Sequence, residues 1–176
     1  TPLGKEDGAF ADTRSEDLSI PLVNELLAST GLTGEDVDDL LWACAQQREE
    51  QGNNLGRVVA LMSELGESVP ASTVNRWCAS SAESVMRAAD AIVAGQRDVL
   101  IAGGVESMSR VKMGENTHNV HPRLNEYYNV GELQMGMTAE KVAEEYDIPR
   151  EAQDEYAYRS HERAAEATES GDFAEE

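Results

Sequence analysis

The chain has 176 residues, 40% hydrophobic and 5% aromatic, enough for one ordinary domain with a sizeable core. Its 34 acidic and 14 basic side chains leave a formal charge of −20, which argues against a nucleic-acid binder and against docking on anionic membranes. The apolar runs are too short to span a bilayer, and two cysteines cannot form the disulfide framework of a small secreted domain.

The acid excess is spread along the whole chain, and only Lys5, Lys112 and Lys141 are lysines. Such a surface repels itself in dilute buffer; at roughly 1 M salt the Debye length falls to about 3 Å and the repulsion is screened. The composition therefore reads as adaptation to a salty cytoplasm, with an ordinary acidic protein as the alternative. Thr1 opens without a charged or apolar leader pattern, and the sequence stops just after a helical pattern. Both ends read as those of a piece of a longer, cytoplasmic protein.

In chain order, Leu18, Leu22, Val23, Leu26 and Leu27 recur at helical spacing and predict a helix over 15–30 capped by Gly31. Thr33 to Asp36 resembles a capping box that opens a short turn. Residues 40–45 form an apolar run that predicts a buried strand. A helix over 54–65 carries Leu55, Val58, Val59, Met62 and Leu65 on one face. Residues 69–77 predict a second strand, with Pro70 at its start. A helix of small and apolar residues follows over 79–94, bearing Ala79, Ala82, Val85, Met86, Ala89, Ile92 and Val93, and Gly95 ends it. Residues 98–102 then predict a third buried strand running into Gly103-Gly104. Strand, helix, strand is a βαβ unit, so the fold class is α/β with a parallel or mixed sheet covered by helices. Residues 111–133 lack a clean period and read as an excursion. Helices are predicted over 138–146 and 150–170, with Pro149 before the second.

Cys78 carries the strongest chemical signal. It lies in Asn75-Arg76-Trp77-Cys78-Ala79-Ser80-Ser81, where a predicted strand turns into a predicted helix. Unpaired N–H groups and the helix dipole favour a thiolate there, and nearby amides suit a developing oxyanion. The alternative at this position is an inert core cysteine. Cys44, between Ala43 and Ala45, reads as core, and a Cys44–Cys78 disulfide is not expected in a reducing cytosol. A cysteine nucleophile needs a base. His161 sits on a polar helical face, while His118 and His121 lie in the irregular segment and read as loop histidines. No Cys or His pair has zinc-ligand spacing. Gly103-Gly104 lacks phosphate-loop spacing and reads as a tight turn with close backbone packing.

Several blocks together resemble the thiolase family. They are Thr1-Pro2-Leu3-Gly4-Lys5, Val74-Asn75-Arg76-Trp77-Cys78-Ala79-Ser80-Ser81, Gly103-Gly104-Val105-Glu106-Ser107-Met108-Ser109-Arg110 and Met135-Gly136-Met137-Thr138-Ala139-Glu140, extended by Gln153 to Ala157 and Ser160-His161. The cysteine block and the glycine block are fairly specific as a pair. The resemblance implies a thiolase-like fold: the N-terminal half of an α/β/α/β/α layered structure, with residues 1–110 as core lacking its first strand and 111–176 as part of an inserted loop domain. It implies an acyltransferase in which Cys78 accepts an acyl group from a CoA thioester, in thiolysis of 3-ketoacyl-CoA or the reverse Claisen condensation. It places the activating histidine and a second cysteine in the absent second half, so the 176-residue chain alone is expected to be inactive.

The resemblance also makes Gln134 and Met135 candidate contacts for the pantetheine arm of CoA; as residues they equally suit a helix start and a packing methionine. Gln134 stands where many biosynthetic members have His, and Ser81 where many have Gly, both leaning towards the fatty-acid-oxidation type. Coenzyme A is implied as substrate, with no further cofactor or metal, and a homodimer or homotetramer as the assembly. CoA phosphates match a −20 chain poorly unless local arginines or high salt offset the repulsion. The competing readings are another condensing enzyme of the superfamily (a ketoacyl or hydroxymethylglutaryl-CoA synthase) and a non-catalytic scaffold or lipid-carrier partner.

Overall fold

The structure, a computed structural model, describes residues 4–5, 7–113 and 121–174. His118 and the Thr1-Pro2-Leu3 part of the first motif lie outside the described residues. The described residues of 4–115 form one compact unit and those of 116–176 a second.

The first unit is built on three parallel strands: β1 (Asp39–Ala43), β2 (Ala71–Val74) and β3 (Leu100–Gly104), in the order β2-β1-β3. Leu40 pairs with Ala71 on one side and Ile101 on the other, and the register continues to Ala43 beside Val74 and Gly104. The sheet is thus parallel among the described residues, the first of the two arrangements expected. Its strands are shorter than or offset from the apolar runs. Pro70 lies just before β2, where its carbonyl accepts from Leu40 N at 3.0 Å, and the turn at Asn75 ends the strand before Trp77.

Helices cover both faces. Successive side chains of β1 point to opposite sides. Leu40 and Trp42, with Cys44 just beyond the strand, join Val23, Leu27, Leu55 and Val59 in the larger core, beneath α1 (Ser15–Thr30) and α2 (Leu55–Met62). Leu41 instead joins Val74 and Ala88 beneath α3 (Ser80–Val93). Gly31, at φ 73°, supplies the left-handed cap that ends α1, and Asn54 Oδ1 caps α2 by accepting from Arg57 N at 3.1 Å. The Thr33 box closes through Asp36 Oδ2, which accepts from both Thr33 N and Thr33 Oγ1 at 2.8 Å.

The helix faces differ from the apolar stripes of the sequence. On α1 the buried line is Ser15, Ser19, Val23 and Leu27, while Leu22 and Leu26 are exposed. Ser19 is buried because its hydroxyl accepts from Trp42 Nε1 at 3.1 Å and donates to Ser15 O at 2.7 Å. On α2, Met62 is exposed. On α3 the buried line is Ser80, Ser84 and Ala88, and Val85, Met86, Ile92 and Val93 face outward. Small residues face the sheet because α3 comes close to it: a Cβ on Gly104 would stand 2.9 Å from Ser81 Oγ.

The second unit holds two short 3₁₀ turns, Pro122–Glu126 and Val130–Leu133, then α4 (Met135–Glu145) and α5 (Arg150–Ser170). α4 begins three residues earlier than its period suggested. Gln134 serves as its N-cap, and the Gln134 carbonyl accepts from Thr138 N at 2.9 Å. Neither helix buries a residue among those described.

Candidate active site

In a parallel sheet all strands end at one edge, and the loops that leave that edge are where open α/β sheets place their sites. Here three segments leave it: Cys44 to Gln51 after β1, Asn75 to Ala79 between β2 and α3, and Val105 to Arg110 after β3. The thiolase-like motifs of the first unit after Lys5 fall on the second and third of these.

The β2–α3 connection is a sharp elbow. Trp77 takes φ 50°, a left-handed conformation that costs a bulky residue roughly 1–2 kcal/mol. Side chains on either side hold it. Asn75 Oδ1 accepts from Trp77 N at 2.9 Å; Ser80 Oγ accepts from Arg76 N at 2.8 Å and donates to Trp77 O at 2.5 Å. Ala79 N and Ser80 N close successive turns onto Arg76 O and Trp77 O. Cys78 sits between these anchors, exposed, two residues before the first residue of α3. Arg76 and Arg87 both pair with Glu83 in the first turns of that helix, at 3.0 and 2.8 Å.

The other cysteine has the opposite environment. Cys44 is 1% exposed, beyond the end of β1 rather than within it, and its thiol faces the Glu106 carboxylate at 3.9 Å. Burial first, and the adjacent negative charge second, push its pKa from an ordinary 9.0 up to about 12. It is a protonated core thiol at neutral pH.

Glu106 organises the loops of this edge. Its carboxylate accepts from Ala45 N at 2.8 Å, Gln46 N at 3.2 Å and Gln51 Nε2 at 2.7 Å. Gln51 is fully buried, and its amide is satisfied at both ends. Oε1 accepts from Ser15 Oγ and Ser107 N at 2.8 and 2.7 Å, and Nε2 also donates to Gln46 O at 2.9 Å. The glycines before Glu106 belong to β3 and adopt no positive φ, which corrects the expectation of a tight turn. They are needed for close approach: a Cβ on Gly103 would stand 2.7 Å from the Trp42 ring, and one on Gly104 would stand 2.6 Å from Ala43 Cβ.

Neither Asn75 nor Gln51 stood out in the sequence. The only local signal was an asparagine two residues ahead of a left-handed position, as in an Asx turn.

Gln134 and Met135 lie in the second unit, both exposed at the start of α4. Met135, Thr138, Val142 and Ile148 help line an open, largely apolar groove of about 340 Å³ between α4 and α5. His121 is exposed, and its Nδ1 accepts from Arg123 N at 3.2 Å; His161 is exposed on α5. Among the described residues no group of three or more His, Cys, Asp or Glu is arranged to hold a metal ion.

The whole chain, residues 1–176, matches the family model described as thiolase, N-terminal domain. Proteins named 3-ketoacyl-CoA thiolase align with all of it. Those of Yersinia pestis (strain Pestoides F) and Pectobacterium carotovorum subsp. carotovorum (strain PC1) are 42% and 43% identical over 178 residues, and that of Photorhabdus laumondii subsp. laumondii is 43% identical over 180. The chain belongs to the thiolase family, as its N-terminal domain. It spans about half the length of these relatives, 46% of each.

Proposed function

We propose that this chain is the acyl-accepting half of a 3-ketoacyl-CoA thiolase and that Cys78 is its nucleophile. The observation that carries the reading is an exposed thiol at a braced strand-to-helix elbow, on the loop edge of a parallel sheet, in a thiolase N-terminal domain.

In the degradative direction the Cys78 thiolate attacks the 3-keto carbon of the substrate. The bond between C2 and C3 breaks, C2 takes a proton, and acetyl-CoA leaves. The acyl group, now a thioester on Cys78, passes to the sulfur of free CoA and regenerates the thiol. Splitting one displacement into two gives ping-pong kinetics. The family resemblance assigns the base that activates the thiol, and the second cysteine that moves protons, to the other half of the protein. Coenzyme A enters as substrate and no separate cofactor is required.

The groove beside Met135 is apolar, which suits the pantetheine arm, with Gln134 next to it able to offer an amide. A homo-oligomer fits the outward apolar residues Val85, Met86 and Val93 of α3. The −20 charge supports adaptation to high salt, which would also screen the CoA phosphates. No helix among the described residues is long and apolar enough to cross a membrane, and a cytoplasmic location fits the substrate class.

The test is intact-mass and peptide mass spectrometry of the full-length protein after brief exposure to acetyl-CoA or acetoacetyl-CoA. The expected result is an acetyl mass on the Cys78 peptide, absent from Cys78→Ala. A wild-type protein that stays unmodified at Cys78 returns the non-catalytic scaffold reading.

A further inference from the structure

Cys78 has a carbonyl-and-amide framework around it that the chemistry of a bare thiol does not require. A path of hydrogen bonds runs from the loop after β3 to the elbow. Glu106 Oε2 accepts from Ala45 N at 2.8 Å, and Ala45 O accepts from Asn75 Nδ2 at 3.0 Å. Asn75 Oδ1 then accepts from Trp77 N at 2.9 Å, and Trp77 is the residue joined to Cys78. Three loops that leave three different strands are therefore tied together, and the tie ends one peptide bond from the thiol.

Asn75 is the member of this path through which the elbow is reached. Its two polar ends do different work. The oxygen holds Trp77 N and so favours the left-handed backbone at Trp77, φ 50°, which the tryptophan side chain opposes. The amide nitrogen holds Ala45 O, which fixes the β2 loop against the β1 loop. Ser80 braces the same turn from the helix side, so the elbow has a helix-side anchor and a sheet-side anchor. Only the sheet-side anchor reports where the sheet edge is.

We propose that Asn75 is a positioning residue for acyl transfer: it sets the direction of the Cys78 thiol by pinning Trp77 and referencing the elbow to Ala45. The proposal rests on Cys78 being the nucleophile. Asn75 does not touch the acyl group. It acts through the backbone, and misplacing a nucleophile by about 1 Å costs on the order of a hundredfold in rate.

The experiment uses the full-length enzyme and the variants Asn75→Ala and Asn75→Ser. Serine keeps a short acceptor for the amide two residues on but loses the donor to Ala45 O. Two rates are read on Cys78: acylation by acetoacetyl-CoA under single-turnover conditions, and alkylation by iodoacetamide, a small reagent that needs an exposed thiol but no aimed one. The expected result for Asn75→Ala is a ten- to hundredfold loss of maximal acylation rate. The substrate concentration for half-maximal rate should stay within about threefold of wild type, and so should alkylation. Asn75→Ser should recover part of the loss. Unchanged acylation in Asn75→Ala overturns the proposal. A parallel loss of acylation and alkylation, or failure of both variants to fold, makes Asn75 a structural residue and overturns it too. If wild-type Cys78 is not acylated, it is the nucleophile assignment that fails, and this is seen before any variant is made.

Discussion

The two cysteines should differ sharply in reactivity, and the structure sets the scale. A thiol with a pKa of about 12 is ionised at pH 8 in roughly one molecule in ten thousand, against roughly one in ten at 9.0. That alone slows attack by Cys44 about a thousandfold relative to an ordinary thiol, and its 1% exposure slows it further. Timed iodoacetamide labelling of folded protein at pH 8, read by peptide mass spectrometry, should modify Cys78 and leave Cys44 intact; in urea both should label alike. The same environment has a stability consequence. The folded state retains the Cys44 proton where the unfolded chain releases it. The contribution is therefore whole below pH 9 and is lost as pH rises from 9.0 towards about 12, with a slope of at most about 1.4 kcal/mol per pH unit. Comparing the alkaline unfolding of wild type with Cys44→Ala isolates this slope from other titrations. Labelling of native Cys44 within tenfold of Cys78, or identical alkaline profiles for the two proteins, would refute the reasoning.

Truncating the buried hub by Gln51→Ala strips partners from Ser15 Oγ, Ser107 N and Gln46 O, and should lower stability by about 2–4 kcal/mol in urea titration. Gly104→Ala places a methyl group 2.6 Å from Ala43 Cβ and 2.7 Å from Ala43 O; it should cost about 1–3 kcal/mol and slow Cys78 acylation by displacing the first turn of α3. The charge of −20 predicts a melting temperature that climbs steeply between 0.1 and roughly 1 M KCl; a flat salt profile in calorimetry removes the salt-adapted reading.

Much of the fold was legible because it is local. Gly31 and Pro149 mark helix ends by backbone chemistry alone, and the predicted bounds 15–30 and 150–170 coincide with α1 and α5. The alternation of strands and helices narrowed the sheet to parallel or mixed, and the pairing of β1 with both neighbours makes it parallel among the described residues. What hydropathy could not show is which side of each helix turns inward. Ser15, Ser19, Ser80 and Ser84 are buried in preference to Leu22, Leu26, Val85 and Met86, because their hydroxyls find partners and their small size lets backbones approach. Cys78 was visible from its neighbours in sequence. The groups that brace it were not: Asn75 meets Ala45, and Glu106 meets Ala45 and Gln51, across 30, 61 and 55 positions of chain. Gly103-Gly104 read as a turn because its real reason, the Trp42 ring and Ala43 of the adjacent strand, is also distant in sequence.

The chain has two tryptophans, and the fold gives them opposite surroundings. Trp42 is 4% exposed with its indole N–H held by Ser19, whereas Trp77 is 52% exposed and bonded directly to Cys78. Their fluorescence separates accordingly. Blue-edge emission, shielded from iodide, follows the integrity of the interior, while red-edge emission, open to quenching, comes from a fluorophore joined to Cys78. Light from a single native chain thus carries one channel for folding and another for events at the elbow, without any attached dye.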